Sequence, residues 1–462
     1  MKHKYFFIAL IALTACTLEP KYSKPEVNVP LQTSESAAKK KITLAKWQDF
    51  FQSEDLRRVI QLALDNNKDL KIAALNIETA QATYGVSRSA LLPTITATGY
   101  ETRQGVPSAF AGFTPKRQFR ANVGVSAYEL DFFGRLRSLK KSALEDFLAT
   151  EQARNIAKIS LIAETVNAYS QLLLDSEILK IAAENAAAQS ERYKFSELRY
   201  KNGIDSQSDL LNAQALTEAA ATVHETYKKL VAQDKNTLML LVGIFDEKSL
   251  PAQNVSLNDI KIDEDLLDFM TSETLLSRPD IKQAEHNLKA ANASIGAARA
   301  AFFPSITLTG TYGYGSRELN SLLDSKTWIF TPQINLPIFT GGRNIANLDL
   351  ANLRKKTEIV QYEKAIQTAF GEASDQLAER EAISKQVKSY EKIASARQKS
   401  FDISEAKHKQ GISSALNILD GKIAMLNAKQ NAASARKEYI ANLAALYKVL
   451  GGGSEVVEEV KK

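Results

Sequence analysis

Little in this chain could support covalent or redox chemistry. Among its 462 residues there is a single cysteine, Cys16, which excludes an internal disulfide and a thiolate metal site. His224, His286 and His408 stand far apart with no metal-ligand spacing around them, so they read as solvated helix positions. There is no phosphate-binding loop, no nucleophile motif and no carboxylate pair with a pocket, so neither an enzyme nor a cofactor is expected. No apolar run reaches the roughly 20 residues of a transmembrane helix. Proline is absent from Arg135 to Lys201, which leaves that stretch free to form one unbroken helix. Charge of one sign is scarce as well: without Lys2 and Lys4, 57 basic residues face 53 acidic ones, a net charge of +4. That balance suggests no nucleic-acid partner, and Lys39-Lys40-Lys41 reads as part of a solvated tether.

What is present is a repeat. Asp69–Gly99 lies on Asp280–Gly310 without a gap, with 14 of 31 positions identical, including Gly85/Gly296, Arg88/Arg299 and Pro93/Pro304. The offset then falls by three and holds from Arg135/Arg343 through Gly203/Gly411 to Gly243/Gly451. Two copies of one supersecondary unit, rather than a solenoid of short repeats, account for this. The first copy is expected over 47–250 and the second over 268–453, with a linker over 251–267 and a short mobile tail over 454–462.

The N-terminus has two basic residues, an apolar stretch from Tyr5 to Ala12, and Leu13-Thr14-Ala15 before Cys16. This is the pattern of an export signal over 1–15. The setting of Cys16 resembles the lipidation box of bacterial lipoproteins, with residues 16–46 as an extended, proline-bearing tether to a membrane leaflet.

Periodicity divides each copy. A short helix is expected over Glu54–Asn66 and another from Lys68 to Leu92, stopped by Pro93. The period then becomes two. Phe119, Ala121, Val123, Val125 and Ala127 alternate with Arg120, Asn122, Gly124, Ser126 and Tyr128. Strands are expected near 94–102, 117–131, 305–315 and 327–339, with a bend or bulge at Pro332. About ten alternating residues is the length a tilted strand needs to cross a bilayer, although a soluble hairpin gives the same pattern. Long helices follow over Arg135–Lys201 and Arg343–Lys409. The heptad set Ile159, Ile162, Val166, Tyr169 and Leu173 lies in the first. Breaks at Gly203 and Gly411 precede returns from Ser206 and Ser414. At 1.5 Å per residue each long helix extends about 100 Å, which suggests a rod capped by strands. Four strands cannot close a barrel, so a spanning role demands that protomers pool them.

Trp47-Gln48-Asp49-Phe50-Phe51, Leu62–Leu70, Glu129-Leu130-Asp131-Phe132-Phe133-Gly134-Arg135 and Leu276-Ser277-Arg278-Pro279-Asp280-Ile281 together resemble the TolC-type outer-membrane efflux ducts, in their OprM-like lipoprotein branch. The resemblance implies a mainly α fold with four strands per protomer. It implies a homotrimer whose twelve-stranded barrel sits in outer-membrane lipid and continues as a periplasmic α-helical barrel. It also implies a periplasmic adaptor and an inner-membrane RND-type pump as partners, and drugs or other small toxic compounds as cargo. Adaptor docking would fall at the tips, on Gly203, Ser206, Asp209, Gly411 and Ser414. A periplasmic gate would fall on Leu416 and Asp420, with Asn417 where some relatives carry a second acid. A duct for protein secretion and a soluble helical scaffold are the alternatives. On the residues alone, Asp420 reads as an ordinary exposed helix position.

Overall fold

A computed structural model of the chain describes residues 17–26, 46–105, 117–250, 255–264 and 272–452. Cys16, the export signal, most of the tether, both ends of the linker and the tail lie outside the described residues. In chain order the helices and strands are α1 (Trp47–Phe50), α2 (Glu54–Asn66), α3 (Lys68–Ser89), β1 (Ile95–Arg103), β2 (Arg117–Leu130), α4 (Arg135–Lys201), α5 (Gln207–Val242), α6 (Ser272–Leu276), α7 (Pro279–Ala300), β3 (Ser305–Ser316), β4 (Lys326–Asn335), α8 (Arg343–Lys409) and α9 (Ala415–Val449). Both long helices have 67 residues, as their freedom from proline allows. None of the described helices is long and apolar enough to cross a membrane.

Two compact units emerge. The first comprises the described parts of 1–28, 75–152 and 282–364, and contains the sheet. All four strands are antiparallel in the order β1-β2-β3-β4, leaving β1 and β4 as edges. Residues paired in register share a face. One face therefore carries Ile95, Val125, Gly310 and Phe330 in one row and Ala97, Val123, Tyr312 and Trp328 in the next. The opposite face carries Thr96, Gly124, Thr311 and Ile329, then Thr98, Asn122, Gly313 and Thr327. Much of the apolar face is open: Trp328 is 74% exposed and Ile334 69%.

Three expectations about the strands need correction. The irregularity is not at Pro332, which pairs with Leu308 in unbroken register on the edge strand, where a missing N–H costs no bond to β3. It falls in β2 between Val125 and Tyr128, where Ala127 takes φ 52° and its N–H donates to Thr309 Oγ1 at 3.1 Å. The extra residue reverses the alternation. Tyr128 and Leu130 now pair with Leu308 and Ile306 on the apolar face, and Glu129 pairs with Thr307 on the other. Finally, β4 stops at Asn335 rather than 339, and Pro337, just beyond it, has no N–H with which to continue the ladder.

Residues 17–26 are extended, but they do not hang free as a tether. Within this unit Asn292 Nδ2 donates to the Pro20 carbonyl at 2.8 Å, Lys141 pairs with Glu19 at 2.8 Å, and Lys24 pairs with Glu285 at 3.1 Å. Gly296 makes room for them, since a Cβ there would lie 3.0 Å from Glu19 Cα. His286 is another correction. Its Nδ1 lies 2.7 Å from a Glu145 carboxylate oxygen and both side chains are largely buried, so it is a packed, hydrogen-bonded position and not a solvated one. His224 and His408 also have close polar neighbours, Glu225 at 3.4 Å and the Ser413 carbonyl at 2.7 Å.

The second unit comprises the described parts of 29–74, 153–281 and 365–462. The heptad residues Ile159, Ile162, Val166, Tyr169 and Leu173 are all buried in its core with Leu56, Val59 and Ile60 from α2. The rings of Phe50, Phe51 and Tyr447 lie 4.9–5.3 Å apart, Phe50 stacked on Tyr447 and Phe51 edge-on to both, which explains the apolar pair in the Trp47–Phe51 motif. Arg278 is buried, donates to the Val449 carbonyl at 2.9 Å and pairs with Asp280 and Glu372, so it satisfies the end of α9. Asp234 lies beside Asp175 with one oxygen buried. Burial, then the hydrogen bond and charge of Asp175, push the Asp234 carboxyl up to about 7 against the pull of Lys437.

Both the close strand contacts and the buried acid have measurable consequences. A Cβ at Gly124 would lie 2.2 Å from the Gly310 carbonyl, and one at Gly313 would lie 2.1 Å from the Ala121 carbonyl. Gly124→Ala or Gly313→Ala should therefore cost about 1–3 kcal/mol by overpacking and lower the temperature at which the β-sheet circular-dichroism signal is lost; an unchanged transition would contradict the close approach. For Asp234 the unfolded carboxyl ionises from about pH 4, whereas the folded one holds its proton to about 7. Its burden on stability therefore grows as pH rises across that window. Asp234→Asn should be more stable than the parent at pH 8 and equal to it at pH 4, measured by thermal melting.

Candidate functional site: the helix-turn tips and the exposed sheet face

Both helix turns are built alike. Gly203 and Gly411 take φ +73° and +75°, left-handed values that other residues rarely adopt. At the first tip the Gly203 N–H reaches the Tyr200 carbonyl and the Ile204 N–H the Arg199 carbonyl. At the second, Gly411 reaches His408 and Ile412 reaches Lys407. This double bond is the Schellman closure of a helix, here followed by an exposed isoleucine at each tip. Ser206 and Ser414 then open the return helices, accepting from the backbone N–H groups of Asp209 and Asn417.

The side chains break the symmetry that the backbone keeps. At the first tip Asp209 completes a capping box, accepting the Ser206 N–H at 3.0 Å and its hydroxyl at 2.7 Å. The hydroxyl bond and then the backbone bond hold its carboxyl below the usual carboxylate range. Asp205 is clamped by Arg199 at 2.8 Å and by the Ser196 hydroxyl at 3.3 Å. At the second tip Asn417 and Ser413 stand in the places of those two acids, and His408 bonds to the Ser413 carbonyl.

Asp420 lies on α9 within the same unit. It is half-exposed and pairs with Arg192 of α4 at 2.9 Å, so it is not an ordinary free surface acid. Leu416 is partly buried one turn earlier, and Asn417 is exposed. The pair joins a helix of one copy to a helix of the other. The corresponding positions in the repeat, Asn212 and Ser400, carry no charge. Arg192 was not singled out from the sequence. The signal available was this double mismatch, in which the cation survives only in the first copy and the acid only in the second. The structure thus brings Leu416, Asn417 and Asp420 together on one helix. It sets Gly203, Ser206 and Asp209 at one turn and Gly411 and Ser414 at the other. Among the described residues no group of His, Cys, Asp and Glu is arranged to hold a metal ion.

The outer membrane efflux protein family model matches residues 59–244 and 270–452, one match for each copy of the repeat. The chain belongs to the outer membrane efflux protein family. It is 38% identical to the antibiotic efflux pump outer membrane protein ArpC of Pseudomonas putida, over 96% of this chain and 94% of that one. The toluene efflux pump outer membrane protein TtgC, also of Pseudomonas putida, matches at the same identity and coverage. Among solved structures, the open state of the Neisseria gonorrhoeae MtrE outer membrane channel superposes with a TM-score of 0.81 at 36% identity, covering 95% of this chain and 98% of that one. This efflux protein is therefore an outer-membrane channel component, and the soluble-scaffold alternative is set aside. The open apolar sheet face fits that location.

The caps differ in their response to acid. A depressed carboxyl contributes stability above the ordinary carboxylate pKa, and that contribution is lost as pH falls through the folded value. In Asp209→Asn, amide exchange at the first tip should accelerate at pH 7, lose its difference from the parent once the pH has fallen through the depressed carboxyl's own value, and leave the second tip unchanged. Equal exchange at pH 7 would contradict the capping role.

Proposed function

We infer that three copies of this chain pool their strands into a twelve-stranded outer-membrane barrel, continued in the periplasm by a barrel of their helices. This duct passively conducts small toxic compounds handed to it by an inner-membrane RND-type pump through a periplasmic adaptor. The observation that carries this reading is the sheet itself, with an apolar face open to its surroundings and two unpaired edges. In hydrocarbon every backbone group must be paired, so such edges have to meet other strands. Twelve strands, an even number, suit a closed outer-membrane barrel. Relatives named for antibiotic and toluene efflux support small molecules over proteins as cargo. Acylation of Cys16 would tie the N-terminus to the same membrane.

At the periplasmic end, Leu416 and Asp420 form the closed gate, and the tips around Gly203, Ser206, Asp209, Gly411 and Ser414 receive the adaptor. The Arg192–Asp420 pair is the latch within each protomer. Two packings of the tip helices, latched and splayed, supply the two states that a gate needs. The pair is partly exposed, so its own contribution is modest and salt-sensitive. That suits a latch an adaptor must open.

Planar-bilayer conductance of the purified trimer tests this. Asp420→Ala and Arg192→Ala should each raise conductance, and the exchange Arg192→Asp with Asp420→Arg should bring it back toward the parent. Unchanged conductance in both single variants would remove the gate from this site.

A further inference from the structure

The apolar sheet face ends in a group of charges at the end away from the helices. Arg103 pairs in register with Arg117 and Glu101 with Phe119, so all four share the face of Ala97, Val123, Tyr312 and Trp328. Both guanidiniums use their Nε on the same carboxylate. Arg117 is 2.6 Å from Glu101, and Arg103 binds it too. The Arg117 guanidinium also lies 4.5 Å from the centre of the Phe119 ring, which fixes its plane. Lys326, paired with Tyr314, is exposed on this face and has no ionic partner among the described residues. Among the described residues of the strands, this end of the face carries one anion, Glu101, and three cations, Arg103 and Arg117 in the last row and Lys326 two rows nearer the helices on β4. Arg103 and Arg117 keep 70% and 52% of their side chains exposed. Towards the helices, the residues of this face are Ile95, Tyr128, Leu130, Ile306 and Ile334, none of them charged.

A cation at the edge of an apolar surface loses hydration unless an anion replaces the lost water. Guanidinium forks match phosphate oxygens two at a time, and an arginine already oriented by a carboxylate and a ring loses little freedom on binding. Beside Lys326, and three to four rows nearer the helices than the arginines, lie Tyr312, Trp328 and Phe330, 56%, 74% and 60% exposed, a surface suited to acyl chains and to the headgroup boundary. We propose that Arg103, Arg117 and Lys326 bind the phosphates of an anionic glycolipid in the leaflet facing away from the helices, with its acyl chains on Tyr312, Trp328 and Phe330. Glu101 is the positioning residue of this site. The proposal rests on the reading that the apolar face meets lipid.

Native mass spectrometry of the full-length trimer released from lipid nanodiscs tests it, with bis-phosphorylated lipid A, its dephosphorylated form and phosphatidylglycerol as probes. The parent should retain the bis-phosphorylated lipid at least about tenfold better than the other two. Arg103→Gln with Arg117→Gln and Lys326→Gln should abolish that preference. Arg103→Lys with Arg117→Lys, which keeps the charge, should preserve most of it and control for folding. Equal retention by the glutamine variant would overturn the site. Equal retention of phosphatidylglycerol would overturn the assignment to the outward leaflet. A parent that enters nanodiscs and conducts but shows no phosphate preference would sink this proposal and leave the membrane reading standing. A parent that does not insert would sink both.

Discussion

Two unpaired strand edges govern the rest of this molecule. β1 and β4 flank a four-stranded sheet whose apolar face carries Trp328, Phe330 and Ile334 in the open. In water such a sheet invites uncontrolled edge-to-edge association, and in lipid its edges forfeit a hydrogen bond at every unpaired group. The local devices in the strands make sense under that constraint. Gly124 and Gly313 let neighbouring backbones approach where a Cβ would collide. The Ala127 bulge reverses alternation at the foot of β2, so that Tyr128 and Leu130 stay on the apolar face while Glu129 points to the other.

The duplicated chain supplies nearly matched backbones and unmatched charges. Both tips share a left-handed glycine, a Schellman closure and a serine cap. Only the first has the Asp209 capping box and the Arg199–Asp205 clamp, and the pairing of Arg192 with Asp420 links a helix of one copy to a helix of the other. The first tip therefore carries more side-chain bonds than the second, which keeps its Schellman closure, its serine cap and the His408–Ser413 bond.

Helix limits were readable from the sequence because single residues enforce them. Glu54–Asn66, Arg135–Lys201 and Arg343–Lys409 begin and end where expected, the two long ones running without proline from the glycines before them to the turns at Gly203 and Gly411. Strand pairing was readable as alternation, but its interruption was not. Proline is the visible strand breaker, yet Pro332 sits harmlessly at an edge, and the bulge falls at an alanine with no sequence mark. The docking of residues 17–26 depends on Asn292 and Gly296, more than 260 positions away, and no local pattern could announce it. His286 looked solvated for the same reason, because Glu145 lies on another helix. Asp420 could be named as a gate candidate through family resemblance, whereas its partner Arg192 required the coordinates or a comparison of the two copies for mismatched charge.

The central claim is that β1 of one copy closes against β4 of the next. Single cysteines placed along each edge, at Thr98 on β1 and Thr331 on β4 for example, and oxidised in pairs within native membranes, test it directly. Closure predicts covalent dimers and trimers with no larger species, at a restricted set of register positions. Cross-links absent at every edge pair, or a ladder extending beyond three chains, would contradict it.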